Sequence, residues 1–210
     1  MNTNESECRT AQSAGAYPPW MLEDLAQSIP DGKGIDKLGW YHASPERIKD
    51  LTNVDTHGVD GYVITFIDPT TGDAMLCPDG RAYVRVKLRQ PVNLGGDSQA
   101  KYISPKGGGV HTFILPKVHE YLREHPKEAV YLTEGEKKAV CAASKGIPCI
   151  GLTGNWGWLR SKQEREDGQD ALCPELVPYL ENRTVHVIWD SDANDEEKRA
   201  RSFDSSTRRL

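Results

Sequence analysis

The second half of the chain alternates short apolar runs with segments of helical periodicity. Each apolar run is bounded by turn residues and is too short for a buried helix, so each predicts a buried strand. The predicted strands are 129–132, 148–152 and 184–189. The predicted helices are 117–123, 136–144, 174–181 and 194–202. Strands that alternate with helices in this way favour a parallel sheet with right-handed crossovers.

The first half shows a different pattern, in which apolar and polar residues alternate with a period of two. At 81–89 every second residue is apolar, and the others are four cations and a tyrosine. Because successive side chains of a strand point to opposite faces, this segment predicts a strand with one aliphatic and one basic face. Further strands are predicted at 61–67, 101–103 and 111–115, and short helices at 19–29 and 45–51.

The two patterns predict two domains of different class. Residues 17–116 should form a basic α+β domain with a small antiparallel sheet, and residues 117–210 an α/β domain with a Rossmann-like parallel sheet. Residues 1–16 have no apolar periodicity and predict a disordered tail. Only 18 residues follow Asp192, and they contain no apolar run for another buried strand.

Charge is distributed unevenly along the chain. The net charge of −5 argues against a uniformly basic nucleic-acid-binding protein. Between Arg81 and Lys117, however, seven basic residues accompany one acid, so this segment carries +6 and the remainder −11. This asymmetry predicts a basic surface beside an acidic site. No apolar run approaches the roughly 20 residues that span a bilayer, and the first residues lack the pattern of a secretory signal. We therefore expect a cytoplasmic protein without a membrane partner.

Acidic residues follow two of the predicted strands at the point where each strand ends. Glu134 comes shortly after 129–132, and Asp190 and Asp192 come directly after 184–189. The carboxyl ends of parallel strands form the edge at which open α/β sheets bind ligands. A Mg²⁺ or Mn²⁺ ion would offset the repulsion between these carboxylates and leave water positions open for phosphate. The three acids are therefore the candidate metal ligands and catalytic residues.

Other roles for these acids remain open. Glu134 could act as a general acid or base if its acidic neighbours raise its pKa. All three could instead be solvated turn acids, and Asp192 could cap the helix predicted after it. An Asp-x-Asp motif after a strand is also found in phosphatases of the haloacid-dehalogenase type. That fold needs a long segment after the motif, and 18 residues are too few for it.

The basic face of 81–89 is the candidate nucleic-acid-binding surface. Cations in a row can follow a phosphate backbone, and a tyrosine among them can stack on a base. The glycines at 107–109 could let backbone N–H groups approach a phosphate. The alternative is a solvated strand face whose cations pair with acids elsewhere. The candidate contacts are Arg81, Tyr83, Arg85, Lys87, Arg89, Lys101 and Lys106.

Together these motifs resemble the Toprim family, which is shared by bacterial primases, topoisomerases and related nucleases. That family carries a Glu-Gly after its first strand and an Asp-x-Asp after its third, here Glu134–Gly135 and Asp190–Asp192. The chain is most similar to a Toprim-like domain of unknown function, family 3854, of phage and plasmid replication and primase-type proteins. This resemblance covers roughly residues 20–193 and includes the run Glu-Gly-Glu-Lys-Lys-Ala at 134–139. Family members usually continue through another strand and helix after the Asp-x-Asp, so the resemblance implies that the domain at 117–210 is incomplete at its C-terminus.

The resemblance implies a replication protein of a mobile element. It implies Mg²⁺-dependent nucleotidyl transfer of the primase type, or phosphodiester cleavage, with Glu134, Asp190 and Asp192 as ligands. The expected partners are single-stranded DNA or RNA, nucleotides, and a helicase or other replication protein. The alternative is a non-catalytic module that binds single-stranded nucleic acid and in which the acids are vestigial. The sequence leaves catalytic competence undecided.

Overall fold

The computed structural model describes residues 17–29, 36–95, 99–154, 156–160 and 171–189. The helices are α1 (Pro19–Ala26), α2 (Pro45–Thr52), α3 (Pro116–Glu124), α4 (Glu136–Ser144) and α5 (Val177–Leu180). The strands are β1 (Tyr41–Ala43), β2 (Gly61–Thr65), β3 (Val84–Asn93), β4 (Gln99–Ile103), β5 (Val130–Glu134), β6 (Cys149–Leu152) and β7 (Val185–Ile188). The predicted tail at 1–16, the predicted helix at 194–202, and Asp190 and Asp192 lie outside the described residues. Across the described ranges, no helix combines the length and the apolar character needed to cross a bilayer.

The first sheet is antiparallel, with strand order β1-β2-β3-β4. The alternation of β3 explains its position, because Val84, Val86 and Leu88 pack with Ile48 of α2 in one buried cluster. The other face of β3 carries Arg85 and is turned toward the second half of the chain. The predicted small antiparallel sheet is thus confirmed, although β3 begins and ends later than expected and β1 was not predicted.

The second sheet is parallel, with strand order β6-β5-β7. The chain passes from β5 to β6 on one side and then crosses to β7 on the other side, so β5 is central. The predicted parallel sheet with intervening helices is therefore confirmed. The strand expected at 111–115 is wrong, because Phe113 forms only an isolated antiparallel bridge with Gly151.

A shared apolar cluster lies between the two sheets. It contains Trp40 and Tyr62 from the antiparallel side together with Ala139 and Cys149 from the parallel side. Phe113 lies among them, with its ring centroid 6.0 Å from that of Trp40. This packing brings the basic face of β3 against α1 and the first turn of α4, which is where the candidate site lies.

Candidate functional site

The turn between β5 and α4 places Glu134 at the carboxyl end of the parallel sheet. Glu134 is the last residue of β5, and Gly135 follows with φ 92° and ψ 147°. This backbone conformation is essentially restricted to glycine. The Gly135 N–H donates to the carbonyl of Leu152 at 2.9 Å, which fixes the turn against β6. The chain can therefore enter α4 immediately, with the partly exposed Glu134 side chain at the edge of the sheet.

Glu136, the first residue of α4, is buried and paired with the basic strand. Its residue surface is 1% exposed, and its carboxylate accepts a hydrogen bond from Nη1 of Arg85 at 2.7 Å. The guanidinium also lies over the ring of Tyr102, 4.7 Å from its centroid. Burial alone would lower the pKa of Arg85, but the Glu136 carboxylate holds it above its ordinary value. Arg85 therefore stays charged and links β3 to α4.

A second cluster of charges joins α1 to the same cleft through Asp24. One oxygen of this carboxylate accepts hydrogen bonds from the Tyr62 hydroxyl at 2.8 Å and from Nζ of Lys137 at 2.9 Å. The other oxygen lies 3.8 Å from Nζ of Lys87. Burial opposes the charge of Asp24, but the bonds from Lys137 and Tyr62 outweigh it and lower its pKa. Burial lowers the pKa of Lys87, with Asp24 acting in the opposite direction.

These two clusters form one wall of an open cleft of about 760 Å³. Among the described residues, five cations line the cleft together with three carboxylates, a surplus of two positive charges. The cations are Arg85, Lys87, Lys101, Lys137 and Lys138, and the carboxylates are Asp24, Glu134 and Glu136. Charges of one sign gathered in a cleft with low-dielectric walls raise the local concentration of counter-ions. The cleft is therefore suited to an anion, with Glu134 at its margin.

The structure brings together some of the sequence-predicted contacts and separates others. Arg85, Lys87 and Lys101 line the same cleft as Glu134. The remaining cations, Arg81, Arg89 and Lys106, are not among its lining residues. Arg81 forms an ion pair with Asp79 at 2.7 Å and reaches the carbonyl of Lys106, whereas Arg89 lies over the ring of Trp20 near α1.

Tyr83 is placed in the core and not on a binding surface. It is 2% exposed, and its ring makes a T-shaped contact with Phe66 at a centroid distance of 4.9 Å. Its hydroxyl donates to Ser104, and the His111 ring lies 4.3 Å from its own. This placement leaves no exposed ring face for a base. The alternation at 81–89 identified the shared strand face, but not the second sheet that covers part of it.

Sequence reasoning also missed residues that line the cleft. Asp24 and Tyr102 had no local signal, because their partners lie far away in the sequence. Lys137 and Lys138 did carry one. Cations in the first turn of a helix oppose the helix dipole, so two lysines at the start of α4 suggest a role other than helix stabilisation.

The predicted metal ligands are described only in part. Within residues 17–189, omitting the undescribed gaps, no three His, Cys, Asp or Glu side chains are grouped to hold a metal ion. Of the three predicted ligands, Glu134 lies within the described residues. The neighbouring carboxylate of Glu136 forms an ion pair with Arg85. The ends of β5 and β7 are adjacent, since Thr133 pairs with Ile188 in parallel register. The donor set proposed from the sequence contains only carboxylate oxygens, which fits a hard cation such as Mg²⁺.

In the part of the chain that the structure describes, the fold is that of an α+β protein whose second half contains a three-stranded parallel sheet with helices. Residues 118–207 of the chain match the family model of a domain of unknown function (DUF3854). The match runs from α3 through β7 and includes Glu134 and the lysines of α4. It confirms a domain of unknown function in this half of the chain. No curated protein and no solved structure matches the chain.

Proposed function

We propose that the cleft binds a phosphate-containing ligand, either single-stranded nucleic acid or a nucleotide, beside a Mg²⁺ or Mn²⁺ ion. The observation that carries this proposal is that Glu134 lies in the wall of a cleft lined by five cations. A ligand made of phosphate and metal needs both kinds of group side by side. Lysines neutralise the phosphate, and carboxylate oxygens bind the ion.

The topology of the parallel sheet supports the same location. In open α/β sheets, ligands bind outside the carboxyl ends of the strands where the chain reverses its direction of winding. Here that point lies between β5 and β7, which are neighbours although β6 separates them in sequence. Glu134 ends β5, and Asp190 follows Trp189 shortly after the end of β7. We therefore assign Glu134, Asp190 and Asp192 to the metal.

The proposed chemistry is Toprim-like nucleotidyl transfer or phosphodiester cleavage, in a replication protein of a phage or plasmid. A bound divalent ion would position phosphate oxygens and neutralise charge that develops during the transfer. Lys87, Lys101 and Lys138 would bind and orient the phosphates. Arg85 would fix Glu136 and thereby the start of α4, without contact to the ligand. A helicase or other replication protein remains the proposed partner.

Metal binding is tested first, by Mn²⁺ titration read as water proton relaxation. We expect one or two tight sites in the wild type, lost in both Glu134→Gln and Asp190→Asn. Glu128→Gln is the matched control. It removes the same charge as the other two substitutions, at an exposed position in the turn before β5. Equal binding in the wild type and the Glu134 and Asp190 variants would contradict the proposed ligands.

Nucleic-acid binding is tested with a labelled single-stranded oligonucleotide and fluorescence anisotropy. Lys101→Gln should weaken binding, whereas Lys127→Gln, an exposed lysine outside the cleft, should not. Oligonucleotide binding that depends on Lys101, in a protein that binds no Mn²⁺, would favour the non-catalytic module. A protein that binds neither Mn²⁺ nor the oligonucleotide would overturn the proposed function.

A further inference from the structure

Two hydrogen-bond donors and one more distant ammonium group, from three different elements, converge on the carboxylate of Asp24. The hydrogen bond of that third group, Lys87, goes to the carbonyl of Leu88 at 3.0 Å. Tyr62 belongs to β2, Lys87 to β3 and Lys137 to α4. The Tyr62 hydroxyl and the Lys137 ammonium bind the same oxygen, at 2.8 and 2.9 Å, and the Lys87 ammonium lies 3.8 Å from the other oxygen. β2, β3 and α4 belong to the two halves of the chain that share an apolar cluster. The convergence of the three groups is therefore a property of the fold. Carboxylates and phosphates accept hydrogen bonds from the same donors.

We infer that Lys87 and Lys137 form a phosphate subsite of the cleft, for which the Asp24 carboxylate is a built-in competitor. This inference rests on the proposed function of the cleft and names the part of it that takes an anion. It also gives α1 a role, because the competing group is carried by that helix. A phosphate that enters the subsite must displace Asp24.

The charges at this point favour a doubly charged anion. Among the described residues of this cluster, two ammonium groups face one carboxylate, which leaves a surplus of one positive charge. The side chains of Lys87 and Lys137 are only 17% and 15% exposed, which limits screening by salt. A phosphate dianion in place of Asp24 would balance both lysines.

Asp24 can leave the subsite without movement of its helix. α1 is fixed in the core by Met21 and Leu25, which are fully buried. The Asp24 side chain is 22% exposed and lines the open cleft. A change of rotamer would therefore move its carboxylate toward solvent while α1 stays in place.

The simpler interpretation is that Asp24 only fastens α1 to α4. The two interpretations differ for the variant Asp24→Asn. A purely structural carboxylate predicts a less stable protein with unchanged affinity for anions. A competing carboxylate predicts that affinity for an anion rises even though stability falls, because the variant removes the negative charge that faces Lys87 and Lys137.

The test is isothermal titration with inorganic pyrophosphate. We expect Asp24→Asn to bind it about tenfold more tightly than the wild type, as removal of a like charge at contact distance would allow. Glu23→Gln is the matched control, since Glu23 is exposed on the same helix and carries the same charge. It should leave affinity unchanged. The double variant Asp24→Asn, Lys137→Gln should lose the gain.

A second comparison keeps the inference testable if Asp24→Asn does not fold, as judged by circular dichroism. Lys137→Gln alone should then weaken pyrophosphate binding, whereas Lys145→Gln, at the exposed end of α4, should not. Equal affinities in Asp24→Asn and Glu23→Gln, or in Lys137→Gln and Lys145→Gln, would overturn the inference.

The same proteins separate this inference from the proposed function. Oligonucleotide binding that depends on Lys101, without a gain of pyrophosphate affinity in Asp24→Asn, would refute the subsite and leave the function standing. A gain of pyrophosphate affinity in a protein that binds neither Mn²⁺ nor oligonucleotide would support the subsite and refute the function.

Discussion

The carboxylate of Glu136 lies in the interior of the protein, and Arg85 is the cation that compensates it. The pair is enclosed, with side-chain exposures of 16% for Arg85 and 2% for Glu136. Desolvation of two charges offsets much of their attraction, so such a pair adds little net stability. Removal of one partner alone destabilises the protein strongly, because it leaves an uncompensated charge in the interior.

We therefore expect Arg85→Met to lower the free energy of unfolding by about 3–5 kcal/mol. The physical reason is the isolated Glu136 carboxylate, and not the loss of an attractive contact. Urea unfolding followed by circular dichroism measures the change. The double variant Arg85→Met, Glu136→Leu should recover most of the loss, because it removes both charges and keeps apolar volume.

A matched control is available on the same segment. Arg81 pairs with Asp79 at the surface, and exposed pairs of this kind contribute little to stability because solvent screens them. Arg81→Met should therefore cost far less than Arg85→Met. Equal costs would show that Glu136 does not depend on Arg85 for its charge.

At the residue scale, local motifs were predictable and long-range partners were not. Glu134 and Gly135 could be identified from sequence because a strand and a following helix fix them within a few residues. The partner of Arg85 is 51 residues away, and no local pattern points to it. The burial of Tyr83 could not be predicted for the same reason. Period-two alternation shows which residues share a strand face, but not what packs against that face.

At the scale of elements, α1 depends on tertiary contacts. It has eight residues and no side-chain hydrogen bond at its N-cap, and helices of this length are marginal in isolation. Met21 and Leu25 bury its apolar side, and Asp24 adds charged contacts to α4 and β3. The charged contacts should make the attachment of α1 sensitive to acid.

The pKa of Asp24 is lowered in the folded protein, which sets the sign of this effect. A carboxyl group with a depressed folded-state pKa stabilises the protein above its unfolded-state pKa, about 3.9 for aspartate. That contribution disappears as the pH falls through the lower folded-state value. We expect wild type to exceed Asp24→Asn in unfolding free energy by about 1–3 kcal/mol at pH 6, and the difference to close progressively below about pH 4.

The measurement is urea unfolding of both proteins between about pH 2.5 and pH 7. This range extends on both sides of the ordinary pKa of aspartate. Most other titrating groups are common to the two proteins and cancel in the difference. Glu23→Gln, on the exposed side of α1, should track the wild type across the range. A difference that persists unchanged at the acid limit would contradict the role assigned to the Asp24 charge.

Local signals predicted the bounds of α4, but not those of β3, which begins and ends later than its alternation predicts. The predicted helix 136–144 agrees with α4, because acid at its start and Gly146 after its end define it. β1 has only three residues and exists because it pairs with β2, so its own sequence could not reveal it. The opposite case is the apolar run 111–115, which predicts a strand but forms only the isolated bridge between Phe113 and Gly151.

At the scale of the whole molecule, the two sheets share one apolar cluster. Trp40 and Tyr62 belong to the antiparallel half, whereas Ala139 and Cys149 belong to the parallel half. Phe113 contacts both, since its ring lies 5.5 Å from that of Phe66 and its backbone exchanges two hydrogen bonds with Gly151. The division between residues 17–116 and 117–210 is a prediction from the sequence pattern, and Phe113 lies close to it.

We expect Phe113→Ala to destabilise both sheets together. Truncation of a buried phenylalanine costs about 3–5 kcal/mol, and here the cavity would open between the halves. Native-state hydrogen exchange should show equal losses of protection in β3 and β5 if the chain unfolds as one unit. Tyr121→Ala, at an exposed position of α3, should leave both unchanged. Loss confined to β3 would show that the halves unfold independently, in which case the cleft between α1, β3 and α4 would open without unfolding of the parallel sheet.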